Sequence, residues 1–179
     1  CDVLIYDNPG SDIIARYFDD KSYAVLCVRG EKVFVFSFLT SCFRSAFWLG
    51  KPLKAYEDSV IALVRPKLII TFTDNNPNFY QISLRWPLIK TAFIQNGTRG
   101  GPADIFEKDL TVRKYHVDFM YTFSMNVGRQ YLKFLTGTVI PIGSLKNNHF
   151  YRDGAINRKA TRDVIFVSQF VRKKREDKY

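Results

Sequence analysis

The sequence predicts an α/β fold: a Rossmann-like, mainly parallel sheet of about six strands, with helices on both faces. Short apolar runs such as Leu68–Thr73 are too brief for ordinary helices and are typical of buried parallel strands. Segments with helical spacing of their apolar residues separate these runs. Most of the runs break abruptly into polar residues, which predicts a set of loops along one edge of the sheet.

The elements follow from this alternation. We predict strands at Val3–Tyr6, Tyr23–Val28, Leu68–Thr73, Thr91–Ile94, Tyr115–Thr122 and Val139–Ile142, with a further strand at Val164–Val167. We predict helices at Ile13–Phe18, Val33–Trp48, Leu53–Val64, Pro77–Arg85 and Asn126–Leu135. Ser11 or Asp12 is expected to cap the first helix, and Asn76 the fourth. Gly137 is expected to end the last helix, and Pro141 predicts an edge or terminal position for its strand.

The chain divides into three parts in this interpretation. Residues 1–145 form the Rossmann-like domain, residues 146–163 a polar linker, and residues 164–179 the first strand of a second, truncated domain. Gly97 to Lys108 is rich in glycine and is predicted to be a loop beside the functional edge. We expect the piece from residue 1 to residue 179 to be inactive without the rest of that second domain.

Composition restricts the partners. The net charge of +10 indicates an anionic partner, or else an ordinary basic surface. Three cysteines without C-x-x-C spacing favour a reducing cytoplasm, and two distant histidines give no metal-ligand pattern. Walker, G-x-G-x-x-G, G-x-S-x-G and H-E-x-x-H motifs are absent from the sequence. We therefore expect neither a metal nor a cofactor, and nucleic acid is not the expected partner.

One aromatic stretch allows two interpretations. Phe34, Phe36, Phe38, Phe43, Phe47 and Trp48 lie close to Arg44 and Lys51. Core packing is the favoured explanation of these aromatic residues. The alternative is a peripheral contact with anionic lipid at the inner face of the cytoplasmic membrane.

The candidate site consists of the polar residues that follow the predicted strands. Its members are Asp7, Asn8, Asp74, Asn75, Asn76, Gln95, Asn96, Gly97, Ser124, Gly143 and Ser144. Each of them singly is explained by capping or turn formation. Gln95 is harder to explain so, because glutamine is neither a preferred cap nor a preferred turn residue. Together they suggest recognition of a hydroxyl-rich ligand in the crevice at the carboxyl ends of the strands.

The acidic residues among these supply the candidates for catalysis. Asp74 and Asp7 are the candidate catalytic residues, and Asp12 and Asp104, outside this set, are further acidic candidates for a general base. Spacing alone does not choose among them. A ligand-binding Asp74 is expected to be partly exposed at its strand tip.

Several motifs, taken in order along the chain, resemble those of bacterial surface-carbohydrate biosynthesis proteins. They are Asp2-Val-Leu-Ile-Tyr-Asp7, Arg65-Pro-Lys-Leu-Ile-Ile-Thr-Phe-Thr-Asp-Asn-Asn76, Phe93-Ile-Gln-Asn-Gly97, Ile140-Pro-Ile-Gly-Ser-Leu-Lys-Asn-Asn148 and Val164-Ile-Phe-Val-Ser-Gln-Phe170. Such proteins are similar to GT-B glycosyltransferases of capsule and lipopolysaccharide pathways. The resemblance implies two Rossmann-like domains across a cleft, with the acceptor on the first and the nucleotide-sugar donor mostly on the second.

The predicted function follows from that resemblance. The chain is expected to be the N-terminal part of an enzyme that transfers a sugar from a nucleotide-sugar to a glycan or lipid-linked acceptor. Two alternatives stay open: a nucleotide-sugar epimerase, and a non-catalytic module that binds an anionic glycan or a nucleotide.

Overall fold

A computed structural model describes residues 1–29, 32–45, 51–97 and 115–147 of the chain. These residues form a six-stranded sheet in the order β2-β1-β3-β4-β5-β6, in which all neighbouring strands are parallel. The strands are β1 (Val3–Tyr6), β2 (Tyr23–Leu26), β3 (Leu68–Thr71), β4 (Lys90–Ile94), β5 (Tyr115–Thr122) and β6 (Leu135–Pro141). The predicted Rossmann-like α/β arrangement is confirmed.

Helices cover both faces of the sheet. They are α1 (Ser11–Ala15), α2 (Val35–Ser45), α3 (Pro52–Val64), α4 (Pro77–Tyr80), α5 (Ile82–Arg85) and α6 (Met125–Tyr131). Ile14 of α1 packs with Val3 and Ile5 on one face. The other face packs against α3, α4, α5 and α6, through residues such as Ile61 and Tyr131. The helices change face because the chain steps outward from β1 to β2 and then returns to place β3 on the other side of β1.

Several predicted boundaries are wrong for local reasons. The first helix begins after Gly10, which lies in the left-handed region at φ 75°, so neither Ser11 nor Asp12 is its cap. The predicted helix from Pro77 to Arg85 is two short helices, α4 and α5, separated at Gln81. The cap at Asn76 is confirmed, because its side chain accepts a hydrogen bond from the backbone N–H of Asn78.

The structure departs furthest from the predicted boundaries around β6. The last predicted helix ends at Tyr131, four residues early, and Leu135 already begins β6. Gly137 therefore ends no helix; it lies inside β6 at φ 142°, where an added Cβ would lie 1.7 Å from the carbonyl oxygen of Val117. This close approach occurs beside an irregularity in β5 between His116 and Phe119, and only glycine fits there. Pro141 ends β6, an outermost strand of the described sheet, as predicted.

Other predictions fall beyond the described residues. They concern most of the loop from Gly97 to Lys108, all but the first two residues of the linker, and the strand Val164–Val167.

Candidate functional site

All the predicted site residues lie along one edge of the sheet. The strands are parallel, so their carboxyl ends meet there, and each predicted residue follows such an end. The edge also contains a topological switch point between β1 and β3, where the strand order reverses. Open α/β sheets bind their ligands at this position.

A cavity of about 330 Å³ lies at the switch point. It is bounded by the ends of β1, β2 and β3, the beginning of α4 and one side of α3. Its lining residues are Tyr6, Asp7, Val28, Arg29, Leu53, Tyr56, Glu57, Thr73, Asn75, Asn76, Pro77 and Asn78. Of the predicted site, this cavity includes Asp7, Asn75 and Asn76. We call it the switch-point cavity.

Asp7 lies in the floor of the switch-point cavity with an unusual backbone. Its φ is 78°, in the left-handed region that non-glycine residues seldom adopt. The backbone N–H of Asn8 donates to one carboxylate oxygen of Asp7 at 3.0 Å. The other oxygen accepts from Arg29 at 3.1 Å and from the hydroxyl of Thr73 at 3.3 Å. Aspartate tolerates this conformation better than most residues do, and residues with such a backbone are found more often at functional sites.

The groups that face solvent in the switch-point cavity are a guanidinium and several amides. The Arg29 side chain is 57% exposed although it pairs with the buried Asp7. Asn75 and Asn78 are exposed, and Asn76 is partly exposed. Amides donate and accept hydrogen bonds, and a guanidinium donates to carboxylate or phosphate oxygens. The cavity can therefore bind hydroxyl groups together with a negative charge.

A carboxylate that sequence reasoning missed forms one wall of the cavity. Glu57 of α3 is buried, accepts a hydrogen bond from the hydroxyl of Tyr6 at 2.7 Å, and pairs with Arg85 at 3.2 Å. Arg85 also pairs with Asp58, which accepts from the indole N–H of Trp86. The signal was present: two adjacent acidic residues interrupt an otherwise apolar helical pattern.

The environment of Glu57 favours its neutral form. Burial raises the pKa of Glu57 above the usual glutamate value, and the nearby Asp58 adds to the rise. The hydrogen bond from Tyr6 and the charge of Arg85 offset part of it. The cavity wall thus carries a carboxyl group that binds its proton more tightly than an exposed glutamate.

Asp74 is not exposed, and the prediction that it would be partly exposed is wrong. Its relative exposure is 0%. The hydroxyl of Tyr131 donates to its carboxylate at 2.6 Å, and the hydroxyl of Tyr80 donates to its backbone carbonyl at 2.6 Å. Tyr131 belongs to α6 and Tyr80 to α4, so Asp74 ties the end of β3 to two helices. It is not among the residues that line the switch-point cavity.

The polar side chains that follow β4 also form hydrogen bonds within the protein. The side chain of Gln95 is buried; it accepts from the backbone N–H of Phe123 at 2.8 Å and donates to the carbonyl of Gly97 at 3.0 Å. This bridge explains a glutamine that is neither a cap nor a turn former. Asn96 accepts from the ammonium of Lys146 at 2.7 Å.

The remaining predicted residues have local roles. Asn8 accepts from the hydroxyl of Ser11 at 3.3 Å. Ser124 caps α6 by accepting from the backbone N–H of Val127. Gly143 has φ 72°, and Ser144 accepts from the backbone N–H of Asn147. The structure places these residues on the same edge, but not among those that line the cavity.

The described residues contain neither a cluster of metal ligands nor a membrane-spanning helix. No group of three or more His, Cys, Asp and Glu side chains among them is arranged to hold a metal ion. In the same part of the chain, no helix combines the length and the apolar character that crossing a membrane requires.

Comparison with known proteins adds one finding. Residues 92–179, just under half of the chain, match the model of a family described as "putative O-antigen biosynthesis protein". The comparison with curated proteins gave no match, and neither did the comparison with solved structures. The matched segment begins within β4 and contains β5, α6 and β6. This part of the chain is thus similar to proteins of surface-polysaccharide synthesis.

Proposed function

We propose that the chain is the acceptor-binding part of a glycosyltransferase that assembles a bacterial surface polysaccharide. The match of residues 92–179 to an O-antigen biosynthesis family carries the proposal. The parallel sheet and the switch-point cavity support it, because this fold binds ligands at that position. The resemblance of the motifs to GT-B enzymes supplies the reaction, which is transfer from a nucleotide-sugar.

The acceptor sugar is proposed to lie in the switch-point cavity. Asn75 and Asn78 are exposed there and can donate to and accept from sugar hydroxyls. Arg29 can bind a phosphate of the acceptor or the donor, since its guanidinium is more than half exposed. A volume of about 330 Å³ is at the lower end of the usual range for ligand pockets and suits one or two sugar rings.

Asp7 is the proposed general base. Its carboxylate would accept the proton of the attacking acceptor hydroxyl as that oxygen bonds to the anomeric carbon of the donor. The bond from the anomeric carbon to the phosphate oxygen breaks, and the nucleotide leaves with the electron pair. Asp7 is reached when the exposed Arg29 turns from it to a phosphate. Asp74 is less suited, because Tyr131 occupies its carboxylate in the core.

The test is a transfer assay on the intact protein. Nucleotide-sugars with different bases are offered together with lipid-linked glycan intermediates, and both the glycosylated product and the released nucleotide are measured. Product that depends on Asp7, and that Asp118→Asn leaves unchanged, supports the proposal. Asp118 is a matched control because it also pairs with an exposed cation, Lys90, but does not line the cavity.

Other outcomes contradict the proposal. Interconversion of nucleotide-sugars without transfer would indicate an epimerase. Binding of glycan or nucleotide without turnover, across the whole panel, would indicate a non-catalytic module.

A further inference from the structure

Within helix α2, the side chains that the structure describes, those of residues 35–41, present apolar groups to solvent and two serines to the protein. Ser37 and Ser41, one turn apart, are buried at 1% and 6% exposure. Val35, Phe36, Phe38 and Leu39 are 71%, 64%, 53% and 53% exposed. At 100° per residue, Val35 and Leu39 lie opposite the two serines, and Phe36 and Phe38 lie on the two flanks between. A helix on the surface of a soluble domain normally has the reverse arrangement.

The exposed apolar side of α2 continues onto neighbouring residues. Val33, Phe34 and Leu53 are also exposed, and we call all seven residues, 33–36, 38, 39 and 53, the apolar surface. The backbone N–H of Phe34 donates to the hydroxyl of Tyr56 at 3.0 Å, which fastens the start of α2 to α3. The expectation that core packing explains the aromatic residues of this stretch is therefore wrong for Phe36 and Phe38.

The segment that contains the apolar surface, residues 32–56, is basic; Glu31 precedes it, and Glu57 and Asp58 follow it. Between Lys32 and Tyr56 there are four cationic residues, Lys32, Arg44, Lys51 and Lys54, and not one Asp or Glu. Lys32 and Lys51 are exposed, and they lie before and after α2 along the chain. Apolar and aromatic side chains flanked by lysine, on a helix that does not span the bilayer, are typical of binding to anionic lipid surfaces.

We propose that the apolar surface docks on an anionic lipid bilayer, with α2 lying in the plane of the interface. Its phenylalanines enter the boundary between headgroups and acyl chains, while Lys32 and Lys51 contact lipid phosphates. A second copy of the chain fits this surface less well, because a symmetric contact would bring two basic segments together without an acidic partner among their residues 32–56.

The docked orientation places the switch-point cavity beside the membrane. Leu53 belongs to the apolar surface and also lines that cavity. Tyr56, which binds the backbone of Phe34, lines the cavity too. If the proposed function holds, the acceptor is therefore a lipid-linked one, whose sugar enters the cavity from the bilayer surface. The docking itself does not depend on the proposed function.

The experiment is flotation of the full chain with vesicles. Binding is compared between vesicles of phosphatidylcholine alone and vesicles with a third of phosphatidylglycerol, at low and high salt. We expect binding to the anionic vesicles that weakens with salt. Lys51→Gln is expected to weaken binding about fivefold, because each basic residue near such a surface contributes by that factor. The double variant Phe36→Ser, Phe38→Ser is expected to abolish binding.

Matched controls are available elsewhere on the surface. Leu88 is 96% exposed and Lys133 is exposed, and both lie far along the chain from α2. Leu88→Ser and Lys133→Gln are expected to leave binding unchanged. Equal binding to both kinds of vesicle, or equal losses in the controls, would overturn the docking.

Two further outcomes also overturn it. A large fall in melting temperature for Phe36→Ser, Phe38→Ser would mean that protein, and not lipid, covers these rings. A dimer that this variant dissociates would make a second copy the partner. Failure of the docking is distinguishable from failure of the proposed function, because a transfer assay with a water-soluble acceptor does not require the membrane.

Discussion

The tips of β1 and β3 carry the same kind of residue in different surroundings. Asp7 and Asp74 both follow a buried strand, and both are almost fully buried, at 1% and 0% exposure. The carboxylate of Asp74 accepts from Tyr131, which is itself 1% exposed. Asp7 pairs with Arg29, whose side chain is 57% exposed. Burial alone therefore does not separate a structural carboxylate from a functional one.

The partners make the difference. Tyr131 cannot leave Asp74 without opening the core, because its ring is buried against Phe93 of β4, so that hydrogen bond stabilises the fold. Arg29 lies at the surface and can turn away from Asp7 without opening the core, and the buried carboxylate then keeps the hydrogen bonds from Asn8 and Thr73. In the proposed function, Asp7 is the carboxylate whose cationic partner, Arg29, can turn to a phosphate.

The largest expected effect is on turnover in Asp7→Asn. Asparagine tolerates the left-handed backbone as aspartate does, so we expect a nearly unchanged melting temperature. Removal of a general base predicts a loss of about 10²-fold or more in kcat of the intact protein. The measurement is transfer over a range of pH, because loss of a base also removes the acidic limb of the profile. Normal turnover in Asp7→Asn would place the chemistry outside the switch-point cavity.

The next effect is on stability, in Tyr131→Phe. This change removes the hydroxyl that donates to Asp74 and keeps the ring in the core. A hydrogen bond to a charged group contributes about 1.5–3 kcal/mol, and we expect a loss of that size in urea unfolding. Activity per folded molecule is expected to be unchanged. Tyr23→Phe is the control, since Tyr23 is 47% exposed. Lost turnover with normal stability would instead give Asp74 the catalytic role.

A smaller loss of stability is expected in Gln95→Ala. The substitution removes two hydrogen bonds, one from Phe123 that joins the end of β4 to the end of β5 and one to Gly97 within the loop after β4, at about 0.5–1.5 kcal/mol for each neutral bond. Its neighbour Asn96 contacts only the exposed end of Lys146 among the contacts described, so Asn96→Ala is the control, with a change within about 0.5 kcal/mol. Equal losses in the two variants would mean that the bridge through Gln95 contributes nothing.

The sequence predicted which residues lie at the carboxyl ends of the strands better than it predicted the role of each of those residues. Strand ends were predictable because a buried parallel strand must be an apolar run, and the residues after it must be polar. The same polar residues serve caps, core bridges and cavities alike. Asp74 and Asp7 therefore look equivalent in sequence, and contacts distant along the chain distinguish them: the buried Tyr131 for Asp74 and the exposed Arg29 for Asp7.

The missed features depend on contacts distant in sequence. The role of Gly137 depends on the carbonyl of Val117 in the neighbouring strand, which no local pattern reveals. Glu57 reaches the cavity because Tyr6 and Arg85 hold it from two other elements. The inverted polarity of α2 was hidden for another reason: apolar spacing predicts a helix with one apolar side, but not which way that side faces.

The smallest expected effect tests whether pairing with an exposed cation is enough to mark a functional carboxylate. Asp118 pairs with Lys90, whose side chain is 65% exposed, and it accepts from the backbone N–H of Thr91 at 2.9 Å. Although its partial burial acts to raise its pKa, the hydrogen bonds from Lys90 and Thr91 outweigh that and hold the pKa of Asp118 below the usual aspartate value. The folded protein thus releases this proton more readily than the unfolded chain, so the stabilising contribution is present above the ordinary aspartate pKa, about 3.9, and is lost as the pH falls through the lower folded-state value.

Asp118→Asn is accordingly expected to cost less than about 1 kcal/mol at pH 7, with the difference from the unsubstituted protein shrinking toward acidic pH. Unfolding by urea between pH 2.5 and 7 measures it. Transfer activity should not change, because Asp118 has an exposed partner but does not line the switch-point cavity. If Asp118→Asn lowered turnover as much as Asp7→Asn, lining the switch-point cavity would not distinguish a catalytic carboxylate. The assignment of Asp7 as the general base would then be wrong. A difference in stability that persisted unchanged at pH 2.5 would contradict the charge-based explanation of the Asp118 pair.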